Sequence, residues 1–185
     1  EREFGIAFAG HFSAGKSRMI NCLCGAELLP SSPIPTSANL VKVRAGKDEY
    51  ARVYFREGKA RKYLAPYNYD MVRSFCKDGD QVTVIELSHK GLTLPDRVVV
   101  MDTPGIDSAD DAHRKSTEDA LHLADVIFYV MDYNHVQSEL NFTFTRELTK
   151  AGKEVYLVVN QIDKHVEGEL SFKDFAEGTV NAFKS

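Results

Sequence analysis

This sequence has no long apolar run, no excess of basic charge and few cysteines. Its longest unbroken apolar stretch, residues 126–131, is far shorter than the roughly 20 residues that a membrane-spanning helix needs. We therefore expect no segment that crosses a bilayer. The formal net charge is −4 at pH 7, so the chain offers no general basic surface to nucleic acid or to an anionic membrane. Any recognition of phosphate must be local.

The three cysteines are odd in number and lack the spacing of metal ligands. Cys22 and Cys24 are two residues apart, and a helix would point side chains at that spacing in different directions. We interpret these two and Cys76 as reduced core thiols of a cytosolic protein. Zinc binding is the alternative.

Apolar residues are arranged as in a single α/β domain. With 185 residues, 43% of them hydrophobic, the chain is long enough to bury a sizeable core. Apolar runs that predict strands alternate with helical patterns, which indicates α/β with a mostly parallel central sheet flanked by helices. The predicted strands are 4–9, 40–45, 50–55, 82–88, 98–101, 125–132 and 154–160, and the predicted helices are 16–24, 67–77, 136–148 and one after Ser171.

Residues 10–17, GHFSAGKS, match a phosphate-binding loop. Its glycines let backbone N–H groups turn inward around phosphates, Lys16 reaches the phosphate oxygens, and the Ser17 hydroxyl ligates magnesium. The helix predicted to follow adds its partial positive charge. A chance match in a glycine turn is the alternative, and the position between a strand and a helix argues against it.

A second motif, Asp-Thr-Pro-Gly, begins at Asp102 where a predicted strand ends. A carboxylate in this place can reach magnesium through water, and the N–H of Gly105 can meet the terminal phosphate. Taken alone, the tetrapeptide could also be an ordinary Pro-Gly turn. Together with the phosphate loop it indicates a nucleoside triphosphate site.

The third motif, residues 160–163 with the sequence NQID, indicates which base is bound. Asp163 offers two acceptor oxygens to the adjacent N1–H and N2–H donors of guanine, a pair that adenine lacks. GTP is therefore favoured over ATP. The alternative is an Asx turn at a strand end, which the order and spacing of the three motifs disfavour.

These motifs, together with the residues around them, resemble the GTPase domain of the bacterial dynamin-like proteins. The resemblance runs along nearly the whole chain, and the Ser-Ala before Gly15 is its more dynamin-specific part. The similar strings are FAGHFSAGKSRMINCLCG, LPSSPIPTSANLVKV, VVVMDTPGIDS, FYVMDYNHVQSELNF and VNQIDKH. The resemblance implies a P-loop GTPase fold and an enzyme that hydrolyses GTP to GDP and phosphate with Mg²⁺.

The resemblance also implies roles for individual residues. Thr36 is the switch threonine that closes on magnesium and the terminal phosphate, and Asn160 steadies the base and the phosphate loop. The implied catalytic residues are Ser13, Thr36 and Gly105, and the implied metal ligands are Ser17, Thr36 and Asp102. The implied nucleotide-binding residues are Phe12, Ser13, Ala14, Gly15, Lys16, Ser17, Asn160, Gln161 and Asp163.

Three positions depart from the patterns of related GTPases. Gln161 stands where the guanine motif usually has a lysine whose stem covers the base, so we expect a modest affinity for GTP. Phe12 and Ile106 occupy the positions where animal dynamins and Ras-like GTPases, respectively, keep a glutamine. Ser13, the backbone around Thr36 and a second subunit are then the candidate sources of catalytic geometry.

Further expectations about the whole molecule follow from the resemblance. Residues 1–185 form a dynamin-type GTPase domain, truncated before its last strand and helical stalk, with an insertion at about 46–97 between the switch regions. The expected partners are GTP, a second copy at the nucleotide face and, through regions outside this chain, a membrane, but not nucleic acid. A monovalent cation is a candidate cofactor. The expected location is the cytoplasm, peripheral at the inner face of the cell membrane.

Two other functions stay open at this point. One is a GTP-gated binding module with slow hydrolysis, and the other is a GTPase of the ribosome-assembly type, which shares all three motifs. The Ser-Ala loop and the long insertion favour the dynamin type over the latter. Asp107, Asp110 and Asp111 are expected to form a solvated acidic segment after the second motif.

Overall fold

A mixed sheet of eight strands lies at the centre of the described part of the chain. The structure is a computed structural model that describes residues 2–11, 14–29, 39–76, 78, 80–104, 111–161 and 170–184. The strands are β1 (Phe4–Gly10), β2 (Leu40–Ala45), β3 (Tyr50–Phe55), β4 (Arg61–Leu64), β5 (Val82–His89), β6 (Val98–Asp102), β7 (Val126–Asp132) and β8 (Val155–Asn160). The helices are α1 (Lys16–Cys24), α2 (Tyr69–Phe75), α3 (Asp111–Leu123), α4 (Glu139–Lys150) and α5 (Phe172–Lys184).

The strand order is β4-β3-β5-β2-β6-β1-β7-β8. Parallel pairing joins β6 to β1, β1 to β7, β7 to β8 and β2 to β5, whereas β2–β6, β3–β5 and β3–β4 are antiparallel. The predicted α/β class with a mostly parallel sheet is therefore confirmed. Because β6, β1, β7 and β8 run in one direction, their C-terminal ends meet at one edge of the sheet, where ligands bind in open α/β folds.

Apolar side chains cover both faces of the sheet. Along β1, Phe8 belongs to one buried cluster and its neighbours Ala7 and Ala9 to the other, as the alternation of a strand requires. The first cluster takes Ile20 from α1, and the second takes Leu121 from α3. This two-sided burial explains why the central strands have nearly continuous apolar sequences.

Two of the strands and α-helices named above were not predicted from the sequence. Asp111, which was expected in a solvated acidic segment, is the first residue of α3, while Asp107 and Asp110 lie outside the described residues. The first half of α3 is polar, and the buried Ala120 and Leu121 come only near its end, so no apolar stripe marks the helix. The other missed element, β4, is a four-residue edge strand.

The three cysteines are free and differ in exposure. Cys24 and Cys76 are buried, but Cys22 is exposed, so the prediction of core thiols is wrong for Cys22. Both Cys22 and Cys24 lie on α1, where residues two apart face different sides. Within the described ranges, no group of three His, Cys, Asp or Glu side chains could hold a metal ion. Among the same residues, no helix has the length and apolar character needed to cross a membrane.

Candidate functional site

The described residues of the three predicted motifs converge at the C-terminal edge of the parallel strands. The phosphate loop follows β1, Asp102 ends β6, and Asn160 ends β8. The helix α1 begins immediately behind the loop, at Lys16. Its N-terminus therefore points its positive dipole end toward the same edge.

Two glycines of the loop stand where no side chain would fit. A Cβ atom at Gly10, which ends β1 with φ 140°, would lie 2.2 Å from the carbonyl oxygen of Val130 on β7. Gly15 precedes α1 in the left-handed conformation with φ 86°, and a Cβ atom there would lie 2.6 Å from Nδ2 of Asn160. The backbone of the loop thus packs directly against its neighbours, which only glycine permits.

Lys16 is buried, with its ammonium group folded over the loop. Its Nζ donates to the carbonyl oxygens of Gly10 and His11, both at 3.0 Å. Only 3% of the residue is exposed. A full positive charge is thereby held beside the positive end of α1, an arrangement that suits an anion such as phosphate.

Ser17 and Asp102 form the central contact between the first two motifs. The Ser17 hydroxyl donates to Oδ2 of Asp102 at 2.7 Å, although the residues are 85 positions apart in the sequence. Both are buried, Asp102 almost completely. A hydroxyl and a carboxylate placed together are the hard oxygen donors that Mg²⁺ prefers, so these residues fit a magnesium site.

Thr103 has a role that the sequence analysis missed. Its hydroxyl donates to the carbonyl oxygen of Phe8 at 2.8 Å, and its N–H donates to the same oxygen at 3.2 Å. Both bonds tie the end of β6 to β1 and so hold Asp102 beside the phosphate loop. A hydroxyl residue directly after a strand-end carboxylate was the available signal.

Asn160 connects the third motif to the first. Its Nδ2 donates to the carbonyl oxygen of Ala14 at 2.9 Å, which joins the end of β8 to the phosphate loop. The next residue, Gln161, has φ 62°, so the chain leaves the strand through a left-handed residue. The start of the predicted guanine motif is therefore held against the predicted phosphate site.

The predicted site residues divide into two groups. Those that the structure brings together are Ala14, Gly15, Lys16, Ser17, Asp102, Asn160 and Gln161. Those that lie outside the described residues are Phe12, Ser13, Thr36, Gly105 and Asp163. The roles of the second group stay predictions.

A strand, a glycine loop and a helix with a buried lysine, next to a strand-end aspartate, define the class of phosphate-loop nucleotide-binding proteins. A sequence profile described as the dynamin family matches residues 6–163. Because this match spans most of the chain, the chain belongs to the dynamin family. It is a GTPase domain of dynamin type.

Individual relatives agree with this assignment. Dynamin-like protein A of Bacillus subtilis (strain 168) is 45% identical over 175 residues, which are 95% of this chain and 15% of that protein. The chain thus spans about a seventh of that relative's length. An activity of the whole relative does not carry over to this domain on identity alone.

Two solved structures share the fold. One is an oligomerised bacterial dynamin pair that is described as providing a mechanism for the long-range sensing and tethering of membranes. The match covers 99% of this chain and 36% of that chain, with a TM-score of 0.78 and 21% sequence identity. Era in complex with MgGDPNP and a segment of 16S ribosomal RNA covers 100% of this chain and 53% of its own, with TM-score 0.54 and 16% identity. The ribosome-assembly alternative is less well supported than the dynamin type, because the dynamin family profile matches residues 6–163.

Proposed function

We propose that this domain binds GTP with Mg²⁺ and hydrolyses it to GDP and phosphate, within a protein that remodels, tethers or fuses membranes. The observation that carries the proposal is the hydrogen bond from Ser17 to Asp102 beside the buried ammonium of Lys16. Two motifs far apart in the sequence thereby combine oxygen ligands for a metal with a positive charge for phosphate.

The phosphates occupy the loop between β1 and α1. Lys16 exchanges its two backbone carbonyl partners for phosphate oxygens, and backbone N–H groups of the loop donate to the same oxygens. Ser17, Asp102 and Thr36 are the residues that would hold magnesium. Bound magnesium neutralises negative charge on the phosphate oxygens.

The base is read by the residues that follow β8. Asp163 accepts from the N1–H and N2–H of guanine, and Gln161 covers the ring less completely than a lysine would. Asn160 supports the base from the side while its bond to Ala14 keeps the base site at a constant distance from the phosphate site.

Hydrolysis needs an oriented water, and neither Phe12 nor Ile106 can orient one by hydrogen bonding. Ser13, Thr36 and the N–H of Gly105 supply the geometry in this proposal. A second copy meeting the nucleotide face completes it, with a monovalent cation near Ser13. Such assistance from a second molecule raises the rate of GTP hydrolysis by on the order of 10³- to 10⁵-fold in GTPases where it has been measured.

The membrane and the cellular location concern the whole protein. In this proposal the protein is cytoplasmic and peripheral at the inner face of the cell membrane, which it contacts through regions outside this chain. The solved dynamin pair, described as sensing and tethering membranes, supports this part of the proposal by its shared fold. A GTP-gated binding module is the second candidate, and it would show slow turnover that does not change with protein concentration.

A competition assay tests the proposed nucleotide. A fluorescent GTP analogue should bind, and excess GTP or GDP, but not ATP, should displace it. Lys16→Ala should abolish tight binding because it removes the full charge that faces the phosphates, whereas Lys150→Ala, at an exposed position ending α4, should bind normally. Equal displacement by ATP, or unchanged affinity in Lys16→Ala, would refute the proposed site.

A further inference from the structure

The β3–β4 hairpin, residues 50–64, is a local concentration of positive charge. It contains five Lys or Arg and one Glu, for a net charge of +4, although the whole chain has a net charge of −4. Arg52 is half-buried, and the exposed basic residues are Arg56, Lys59, Arg61 and Lys62. The chain has no general basic surface, but this hairpin at the edge of the sheet is a local one.

The register of the strands extends the basic surface beyond the hairpin. On β3, Arg52 lies opposite Lys62 of β4 on one side and opposite Glu86 of β5 on the other. On the next strand, β2, Lys42 lies opposite Glu86. Side chains that are directly opposite share a face of the sheet, so these four form one row. Glu86 is ion-paired with Arg44, whose Nη1 lies 3.7 Å from Oε2 of Glu86, so the one carboxylate in the row already has a cationic partner.

Aromatic rings of the hairpin carry cations over their faces. Nζ of Lys62 lies 4.3 Å from the centroid of the Tyr50 ring, and Cζ of Arg61 lies 5.5 Å from the centroid of the Phe55 ring. A ring face that a cation covers cannot also stack on a nucleic acid base. Leu64 lies opposite Tyr50 and is 66% exposed, which adds an apolar side chain to the same edge.

We propose that the β3–β4 hairpin is a docking surface for an anionic lipid bilayer. A bilayer presents many negative headgroups without fixed positions, which suits exposed cations on long side chains, and Leu64 can contact the apolar part of the interface. The covered rings disfavour single-stranded nucleic acid. The inference rests on the proposed function for its membrane, and it adds a contact within this chain to those made through regions outside it.

Protection of the sheet edge does not account for the whole basic surface. Lysine and arginine on an edge strand such as β4 keep other strands from pairing with it. Arg52, however, is on the inner strand β3, and Arg56 and Lys59 lie between the two strands. These three cations therefore need a different explanation, which an anionic partner supplies.

The hairpin is well separated from the phosphate loop. In the sheet, β5, β2 and β6 lie between β3 and β1, the strand that leads into the loop. Neutral substitutions in the hairpin should therefore leave the affinity for GDP unchanged. Binding of lipid and binding of nucleotide can be measured independently.

Vesicle sedimentation of the full chain tests the proposal. Wild type should bind vesicles of phosphatidylcholine with phosphatidylglycerol, less tightly as salt is added, and should not bind phosphatidylcholine alone. Lys59→Gln/Lys62→Gln should bind the anionic vesicles about 25-fold more weakly, at about 5-fold for each charge removed. The matched control Lys150→Gln/Lys173→Gln removes the same charge from exposed positions on α4 and α5, and it should change this affinity less than about 2-fold.

A second hairpin variant guards against damage to the edge strand. If Lys59→Gln/Lys62→Gln sediments without lipid, Arg56→Gln/Lys59→Gln, which lies outside both strands, replaces it and should show the same loss. Each variant is also titrated with a fluorescent GDP analogue, and its affinity should equal that of wild type.

Several results would overturn the inference. They are a wild-type chain that does not bind anionic vesicles, binding that does not depend on phosphatidylglycerol, and an equal loss in the hairpin and control variants. A single-stranded oligonucleotide that binds more tightly than the vesicles, through the same residues, would assign the surface to nucleic acid instead. All of these leave the proposed GTP binding intact, whereas a wild-type chain that binds neither GTP nor GDP would refute the proposed function whatever its affinity for vesicles.

Discussion

Replacing Gly15 by alanine should damage the domain by more than backbone strain alone. Gly15 has φ 86°, and a Cβ atom in the left-handed region costs about 1–2 kcal/mol. The added atom would also lie 2.6 Å from Nδ2 of Asn160, which must move and lose its bond to the Ala14 carbonyl oxygen. Losing that bond adds about 0.5–1.5 kcal/mol, for a total decrease in the free energy of unfolding of about 1.5–3.5 kcal/mol.

Gly58→Ala isolates the strain term, because Gly58 has φ 91° but no atom within 4 Å of the added Cβ. Asn160→Ala removes both the hydrogen bond to the Ala14 carbonyl oxygen and the side-chain atoms that the new Cβ would meet. In that background, Gly15→Ala should therefore lower the free energy of unfolding no more than Gly58→Ala does. Urea unfolding measures the free energies, and a fluorescent GDP analogue measures the affinity, which should fall in Gly15→Ala and not in Gly58→Ala. Equal stability and equal GDP affinity in these two single variants would refute the reasoning.

Three further predictions follow from the buried groups of the domain. Asp102→Asn should reduce the magnesium-dependent gain in GDP affinity by about 10- to 100-fold and leave affinity in EDTA nearly unchanged; equal losses in both conditions would contradict the metal assignment. Of the three thiols, Cys22 alone should react quickly with a maleimide at pH 7.5, because it is exposed. Cys24 and Cys76 are both buried, and burial raises the pKa of the Cys24 thiol to about 11. Burial lowers the pKa of His89 below its ordinary 6.5, so the unfolded chain takes up a proton first as the pH falls. The free energy of unfolding should therefore decline below about pH 6.5, and decline less in His89→Gln, when measured in urea; parallel curves would contradict this.

Much of the candidate nucleotide site was predictable because its motifs are contiguous. The phosphate loop, the strand-end Asp102 and the start of the guanine motif each depend on a few neighbouring residues, and an apolar run before each motif marks the strand that presents it. The end of α1 was predictable for the same reason, since Gly25 stops the helix in the left-handed conformation with φ 70°.

The arrangement of the elements depended on the tertiary structure. The strands β2 and β3 follow each other in the chain, yet β5 lies between them in the sheet. The helix α3 has too little apolar periodicity to be recognised, and its burial against β1, β2 and β5 stabilises it instead. The contacts from Ser17 to Asp102 and from Asn39 to the end of α2 likewise join residues that are distant in sequence.

The sequence by itself determined which chemical groups the site contains, because glycine, lysine, hydroxyl and carboxylate residues must occur at set spacings to hold a phosphate and a metal. Only the tertiary structure decided which of these groups touch and what holds them in place. The physical reason is that a hydrogen bond between distant segments forms only when strand register and core packing bring both ends together, and neither is a local property of the chain.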